Sequence, residues 1–325
     1  VKDLTDIEKK ILEEIQQDIP LVSRPFQEIA VTLGIDEETV IYSINSLKER
    51  GFIRDISAIY NAKGLGYKST LVALATNDPD KTAAVINKHP GVSHNYYREH
   101  TFNVWFTLTV PESMHFESII EDMLGGESYE KYRILPALKT FKIGVNFRFT
   151  GDIKKKNKSE YSSDIASVEI DRDLIRALQN PFPVVSEPWS VLGEQLGKSE
   201  DELFLEISKL KKARVIKRIS GVIRHRKAGY ASNGMACFEL DEDKVEQAGM
   251  QAAEFNAVSH CYQRPVYSDW PYSLFAMTHG TSNEECEKII SEITDEIGAL
   301  SCLTLYSTKE YKKERVKYFL EDVHV

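Results

Sequence analysis

The 325-residue chain carries 41 Lys+Arg against 50 Asp+Glu, a net charge of −9, with 42% hydrophobic residues. Its mean hydropathy of −0.34 and the lack of any apolar run near the ~18–20 residues of a bilayer span argue against a membrane protein. Four widely spaced cysteines without a CxxC pair exclude a disulfide scaffold, and a pI near 5.5 speaks against a dedicated nucleic-acid binder, so a reduced, cytoplasmic protein of two or more domains is expected.

The N-terminal segment VKDLTDIEKKILEEI is charged and amphipathic and has no apolar core of a signal peptide. Ile7, Ile11, Leu12 and Ile15 share one helical face. A second helix is predicted over 25–33, with Pro25 early in the first turn, where its missing N–H costs nothing, and Gly34 as the stop. Asp36 is the expected N-cap of a third helix running to Arg50, and 52–60 has strand composition. Three short helices followed by a strand is the winged helix-turn-helix pattern. Beyond it the order is β-α-β-β-α-β, over 69–75, 79–88, 92–98, 103–110, 116–124 and 138–147, a ferredoxin-like arrangement.

The second half repeats the first. Leu21-Val22-Ser23-Arg24-Pro25-Phe26 recurs as Val184-Val185-Ser186-Glu187-Pro188-Trp189, and at the same displacement Ile56-Ser57 becomes Ile219-Ser220 and Gly66-Tyr67 becomes Gly229-Tyr230. Ser93-His94-Asn95-Tyr96-Tyr97-Arg98 matches Ser259-His260-Cys261-Tyr262-Gln263-Arg264 at a slightly larger displacement, as a small insertion would produce. Strands and helices of the second copy are expected over 235–240, 242–253, 257–264, 273–278, 284–297 and 300–306. The fold class is therefore α+β, a tandem duplication. Its divisions are a winged helix over 1–63, a ferredoxin-like domain over 64–149, a lysine-rich linker over 150–166, a second winged helix over 167–227 and a second ferredoxin-like domain over 228–325.

A recognition helix needs positive or polar side chains near its N-terminus. Here that end carries Asp36-Glu37-Glu38 in one copy and Ser199-Glu200-Asp201-Glu202 in the other, carboxylates that would repel phosphate. DNA binding is not expected. The chemistry is instead expected on the duplicated strands, where alternation puts His94, Tyr96 and Arg98 on one face, and His260, Tyr262 and Arg264 likewise. Imidazole, phenol and guanidinium on one sheet face suit a polyanionic aromatic ligand. The second copy adds Arg224-His225-Arg226-Lys227, His279-Gly280 at a strand end and the aromatic insert Tyr267-Ser268-Asp269-Trp270-Pro271-Tyr272, for which a packed hairpin is the simpler reading. No dinucleotide, P-loop, zincin or nucleophile-elbow motif is present.

The winged helix joined to a ferredoxin-like domain resembles the Lrp/AsnC regulators. The His-Asn-Tyr-Tyr-Arg and His-Cys-Tyr-Gln-Arg-Pro strands, the run from Ile219 to Tyr230 and His279-Gly280 resemble the siroheme decarboxylases of that superfamily, with both subunit types fused in one chain. The resemblance implies removal of carbon dioxide from two acetate side chains of siroheme, giving 12,18-didecarboxysiroheme for heme or heme d1 synthesis. It implies His260, His100 and His94 as catalytic proton donors, any of which could instead ligate the siroheme iron. Arg98, Arg264, Arg224 and Arg226 would bind carboxylates, and His225, Tyr96, Tyr262 and His279 would complete the substrate site. No cofactor beyond the iron of the substrate is implied. The expected partners are siroheme and the other copy within the chain, with room for a homodimer of the fused chain. The rival reading is a tetrapyrrole-responsive transcription regulator of the same fold.

Overall fold

The computed structural model describes residues 4–143, 166, 168–224 and 232–320. In the first copy the order is α1 (Asp6–Ile15), α2 (Pro25–Leu33), α3 (Glu37–Glu49), β1 (Ile53–Tyr60), β2 (Tyr67–Ala75), α4 (Pro79–Ile86), β3 (Val92–Tyr97), β4 (Val104–Pro111), α5 (Phe116–Leu124), β5 (Lys131–Pro136) and β6 (Lys139–Ile143). The second copy follows as α6 (Arg172–Leu178), α7 (Pro188–Leu196), α8 (Glu200–Lys212), β7 (Ile216–Ile223), β8 (Ser232–Glu239), α9 (Val245–Glu254), β9 (Val258–Gln263), β10 (Leu274–Gly280), α10 (Asn283–Ile297), β11 (Ser301–Tyr306) and β12 (Lys309–Lys313). The chain divides into two units, one spanning Val1–Gly66, Asn146–Gly229 and Lys317–Val325, the other Tyr67–Val145 and Tyr230–Val316.

The first unit holds both winged helices. Thr5 and Ser199 each close a capping box with a Glu three residues on, satisfying N–H groups that the first helical turn cannot bond itself. Pro25 and Pro188 open α2 and α7, and Gly34 and Gly197 end them in the left-handed region at φ 69° and 64°. The two wings join through β1 and β7, which pair antiparallel with Ser57 opposite its own duplicate, Ser220. Each copy therefore completes the other. Ile19 N–H donates to Ile219 O and Phe182 N–H to Ile56 O, at 2.7 Å each.

The second unit holds two five-stranded sheets, ordered β12-β3-β4-β2-β5 and β11-β8-β10-β9-β6. Alternation along β2 sends Val72 and Leu74 towards Ile86, Ile120 and Leu124 of α4 and α5, while Ala73 and Ala75 point the other way. That other face packs on the second sheet through Trp105, Leu135, Met235, Cys237, Trp270, Phe275 and Leu305. The helices thus cover the outer faces and the sheets meet face to face.

Three strands differ from the sequence reading. The strand that finishes the sheet of its own copy is β5, which the sequence reading missed; the predicted strand over 138–147 is β6, ending in the described residues at Ile143, and it pairs with β9 of the second copy. Reciprocally β12, unforeseen, crosses to pair with β3. Both exchanged strands are rich in lysine (KTFKI and KEYKK), as suits sheet edges, and β12 lacks the apolar alternation by which strands are recognised. Lysines also anchor them. Lys142 Nζ donates to Phe255 O at the end of α9, and Lys312 Nζ to Asn87 O at the end of α4, each 2.8 Å, placing a cation where helix carbonyls concentrate negative charge. Beside them Lys139 pairs with Glu246 and Lys309 with Asp80. Phe141 of β6 lies over Gly249, where an added Cβ would collide with its ring. Gly249→Ala is expected to cost ~1–3 kcal/mol by overpacking that contact. A urea melt checks it, and an unchanged midpoint would mean that the ring yields freely.

Candidate active site

The strands β3 and β9 carry the site, and the direction of each side chain follows from its partners. Asn95 faces the helices, donating through Nδ2 to Asn87 Oδ1 at 3.0 Å, and Cys261 Sγ lies 3.8 Å from Gly249 O on the same side of its own sheet. Alternation therefore turns His94, Tyr96 and Arg98, and equally His260, Tyr262 and Arg264, into the space between the two sheets. In both copies the His and Tyr rings are 6.2 Å apart.

The arginines lie deepest. Arg98 is 5% exposed and donates through Nη1 to Leu305 O of the opposite sheet; Arg264 does the same to Leu135 O. Arg98 stacks at 6.0 Å over Tyr96, and Arg264 at 5.0 Å over Tyr262 and 5.3 Å over Phe275. Burial pulls both guanidinium groups down to about 10. These side chains join the sheets.

The histidines are half-buried and gather. Ser93 Oγ lies 3.0 Å from His94 Nδ1, and Ser259 Oγ lies 2.8 Å from His260 Nδ1. In the second copy His279 joins, its Nε2 2.7 Å from the same Ser259 oxygen. Burial first, then the neighbouring His279 and His94, lowers His260 to about 4. His94 is thus close enough across the gap to act on it. His279 is lowered by burial and then by Lys313, a residue of the exchanged strand β12 that sits opposite His94 in register. The matching position opposite His260 is Ile143. The arrangement is basic on one side of the histidines and apolar on the other.

His100 does not join this group. It follows the far end of β3, stacks on Phe102 at 6.1 Å, meets Trp270 edge-on at 5.6 Å and accepts from Phe102 N–H, and burial lowers its pKa. Trp270 belongs to the aromatic insert, a packed turn closed by the Tyr267–Trp270 bridge and held by Asp269 to Lys131 and Arg133 at 2.8 Å each. Arg224 follows the end of β7 in the other unit and is exposed; His225 and Arg226 lie outside the described residues. Among the described residues, no three His, Cys, Asp or Glu are grouped to hold a metal ion.

The AsnC-like ligand binding domain family matches residues 64–142 and 227–312, and the siroheme decarboxylase NirDL-like HTH domain matches 8–54 and 171–217. A siroheme decarboxylase of Hydrogenobacter thermophilus is 39% identical over 96% of this chain and 95% of its own. The chain belongs to the siroheme decarboxylase family. The crystal structure of the siroheme decarboxylase NirDL superposes with a TM-score of 0.76 at 36% identity, covering 97% of this chain and 95% of that one. The same enzyme in complex with an iron-uroporphyrin III analogue gives 0.74 at 36% identity, over 96% and 94%.

These siroheme decarboxylases match across both copies in one chain, whereas a siroheme decarboxylase beta subunit of Methanosarcina barkeri and an alpha subunit of Desulfovibrio desulfuricans each match about half of it. The relatives that match the whole chain do not favour the regulator reading, and at the start of α3 the carboxylates of Asp36 and Glu38 are exposed, while Glu37 is buried and tied to Arg24. Sequence reasoning missed Ser93, Ser259, Ile143 and Lys313. The two serines had a signal, since each precedes the histidine in both copies. Ile143 and Lys313 had none, because a neighbour supplied by an exchanged strand leaves no local spacing.

Proposed function

We infer that this chain decarboxylates siroheme, taking carbon dioxide from two acetate side chains to give 12,18-didecarboxysiroheme for heme or heme d1 formation. Kinship over the whole chain carries the reading, and the cluster of His94, His260 and His279 between the sheets supports it. Each step is R–CH2–COO⁻ + H⁺ → R–CH3 + CO2. The bond to the carboxylate breaks, its electron pair passes into the conjugated ring of the substrate, and the carbon gains a proton. The chain must therefore deliver protons, and His260 is the donor we assign.

In the ligand-free site His260 is held neutral by burial and by neighbouring histidines. A substrate carboxylate brought beside it reverses that bias, so that substrate binding itself charges the acid. Lys313, with His94 and His279, would hold the carboxylates that stay. Ile143 leaves the departing carboxylate poorly solvated, which favours loss of its charge as carbon dioxide. Arg98 and Arg264 are assigned to the framework beneath the site, and Tyr96 and Tyr262 to contact with the ring. His100 we place outside the proton path. The iron arrives with the substrate, and we propose no other cofactor. The exchanged strands support a working unit made of the two copies within one chain. The unpaired state of all four cysteines favours a cytoplasmic setting.

Anaerobic incubation with siroheme followed by mass spectrometry tests this. The expected product is lighter by two carbon dioxide units. Tight binding with unchanged mass would make the protein a carrier instead.

A further inference from the structure

Ser259 has one hydroxyl proton and two lone pairs, and three groups surround it: His260 Nδ1 at 2.8 Å, His279 Nε2 at 2.7 Å and Met277 O at 3.3 Å. A carbonyl can only accept. If the hydroxyl donates to Met277 O, both lone pairs are left for the two imidazoles, and both ring nitrogens must carry hydrogen. All three contacts are then satisfied in one arrangement.

We propose that Ser259 and His279 form a tautomer lock that keeps a proton on His260 Nδ1, so that Nε2 is the nitrogen that exchanges protons with substrate. The proposal rests on the decarboxylase reading and names the device that aims its acid. Charged His260 holds hydrogen on both nitrogens. When the carbon–carbon bond to carbon dioxide breaks, the Nε2 proton passes to the substrate carbon. His260 is left neutral, still hydrogen-bonded through Nδ1–H to Ser259, with a lone pair on Nε2 that solvent reprotonates. Ser259 and His279 touch no substrate in this account; they are positioning residues.

The first copy contains half the device. Ser93 Oγ bonds His94 Nδ1, but the position matching His279 is Thr109, whose hydroxyl donates to Ser69 Oγ at 3.0 Å instead. No second imidazole fills a lone pair of Ser93 among the described residues. The lock thus singles out His260 rather than His94 as the proton-delivering histidine. Groups facing His260 are His279 and Met277 from β10, Ile143 from β6 and His94 from the opposing sheet, with Lys313 acting on His279.

Nitrogen-15 NMR of histidine-labelled, ligand-free protein above pH 7 reads the tautomers directly. His260 is expected in the Nδ1–H form, and Ser259→Ala is expected to shift it towards Nε2–H, the form that unconstrained histidine favours. Finding wild-type His260 as Nε2–H would overturn the lock whether or not siroheme is decarboxylated, so failure of the lock and failure of the activity are read separately. In turnover, Ser259→Ala is expected to lower kcat about 10-fold with KM within about 2-fold, and Ser259→Thr, which keeps the hydroxyl, to recover most of it. His279→Ala should mix the His260 tautomers as well. Ser93→Ala should cost less than Ser259→Ala; an equal or larger loss would remove the distinction between the copies.

Discussion

Replacing His260 by alanine is expected to lower siroheme turnover at least ~100-fold while leaving the protein folded. The size follows from the role: without a positioned acid, the carbanion-like centre left by carbon dioxide must wait for solvent in a site whose apolar side, Ile143, keeps water away. The fold should survive because His260 is half-buried and its ring is hydrogen-bonded to its chain neighbour Ser259 rather than to a distant element. Stability itself carries a second signature. An unfolded histidine titrates near 6.5, whereas folded His260 titrates near 4. Between those values the unfolded chain takes up a proton that the folded chain refuses, so stability falls as the pH drops from about 6.5 to 4, by up to about 3 kcal/mol, and is unaffected by this group above 6.5. His260→Ala should flatten that part of the stability profile in urea melts across the pH range. Near-native turnover by the variant would move the proton donor elsewhere, to His94 first.

Arg264→Ala is expected to destabilise the protein by about 2–4 kcal/mol, because it leaves the Leu135 carbonyl without its donor and opens a gap against Tyr262 and Phe275. Arg264→Met should cost less. The guanidinium is expensive where it lies, as its lowered pKa of about 10 records, and an apolar chain of similar length keeps the packing without a buried charge. Chemical denaturation of the two variants separates these terms. Titration of the Soret band separates framework from clamp: a methionine variant that keeps its stability but loses siroheme affinity would return Arg264 to the substrate carboxylates.

Much of this architecture is legible in the residues. Pro25 and Gly34 bound α2 to the residue, and Asp36 caps α3 through Thr39 N–H, because capping is local chemistry written in a few adjacent side chains. The common face of His94, Tyr96 and Arg98 follows from strand alternation alone. The gathering of His94 with His260 does not, since it needs two sheets to meet, and no spacing along the chain encodes that. His100 illustrates the converse: six residues from His94 and of the same type, it packs against Trp270 once the chain leaves β3. For Arg98 and Arg264 residue type was informative about charge but not depth, and depth decided which carbonyls they met. Ser259 was visible in both copies, yet its importance depends on His279, twenty positions on and joined to it only through the pairing of β9 with β10.

The exchanged strands also set the order in which the polypeptide can be finished during synthesis. Lys312 bonds Asn87 across 225 residues of sequence. The sheet of the first copy therefore leaves the ribosome with the edge of β3 open, and β12, which closes it, follows only after both winged helices and the rest of the second sheet. Until then an exposed strand edge must avoid other nascent chains, and contacts so distant in sequence form slowly. A ribosome that stops before residue 309 would release a protein with both winged helices and most of two sheets, but with that edge unclosed and without Lys313 beside His94.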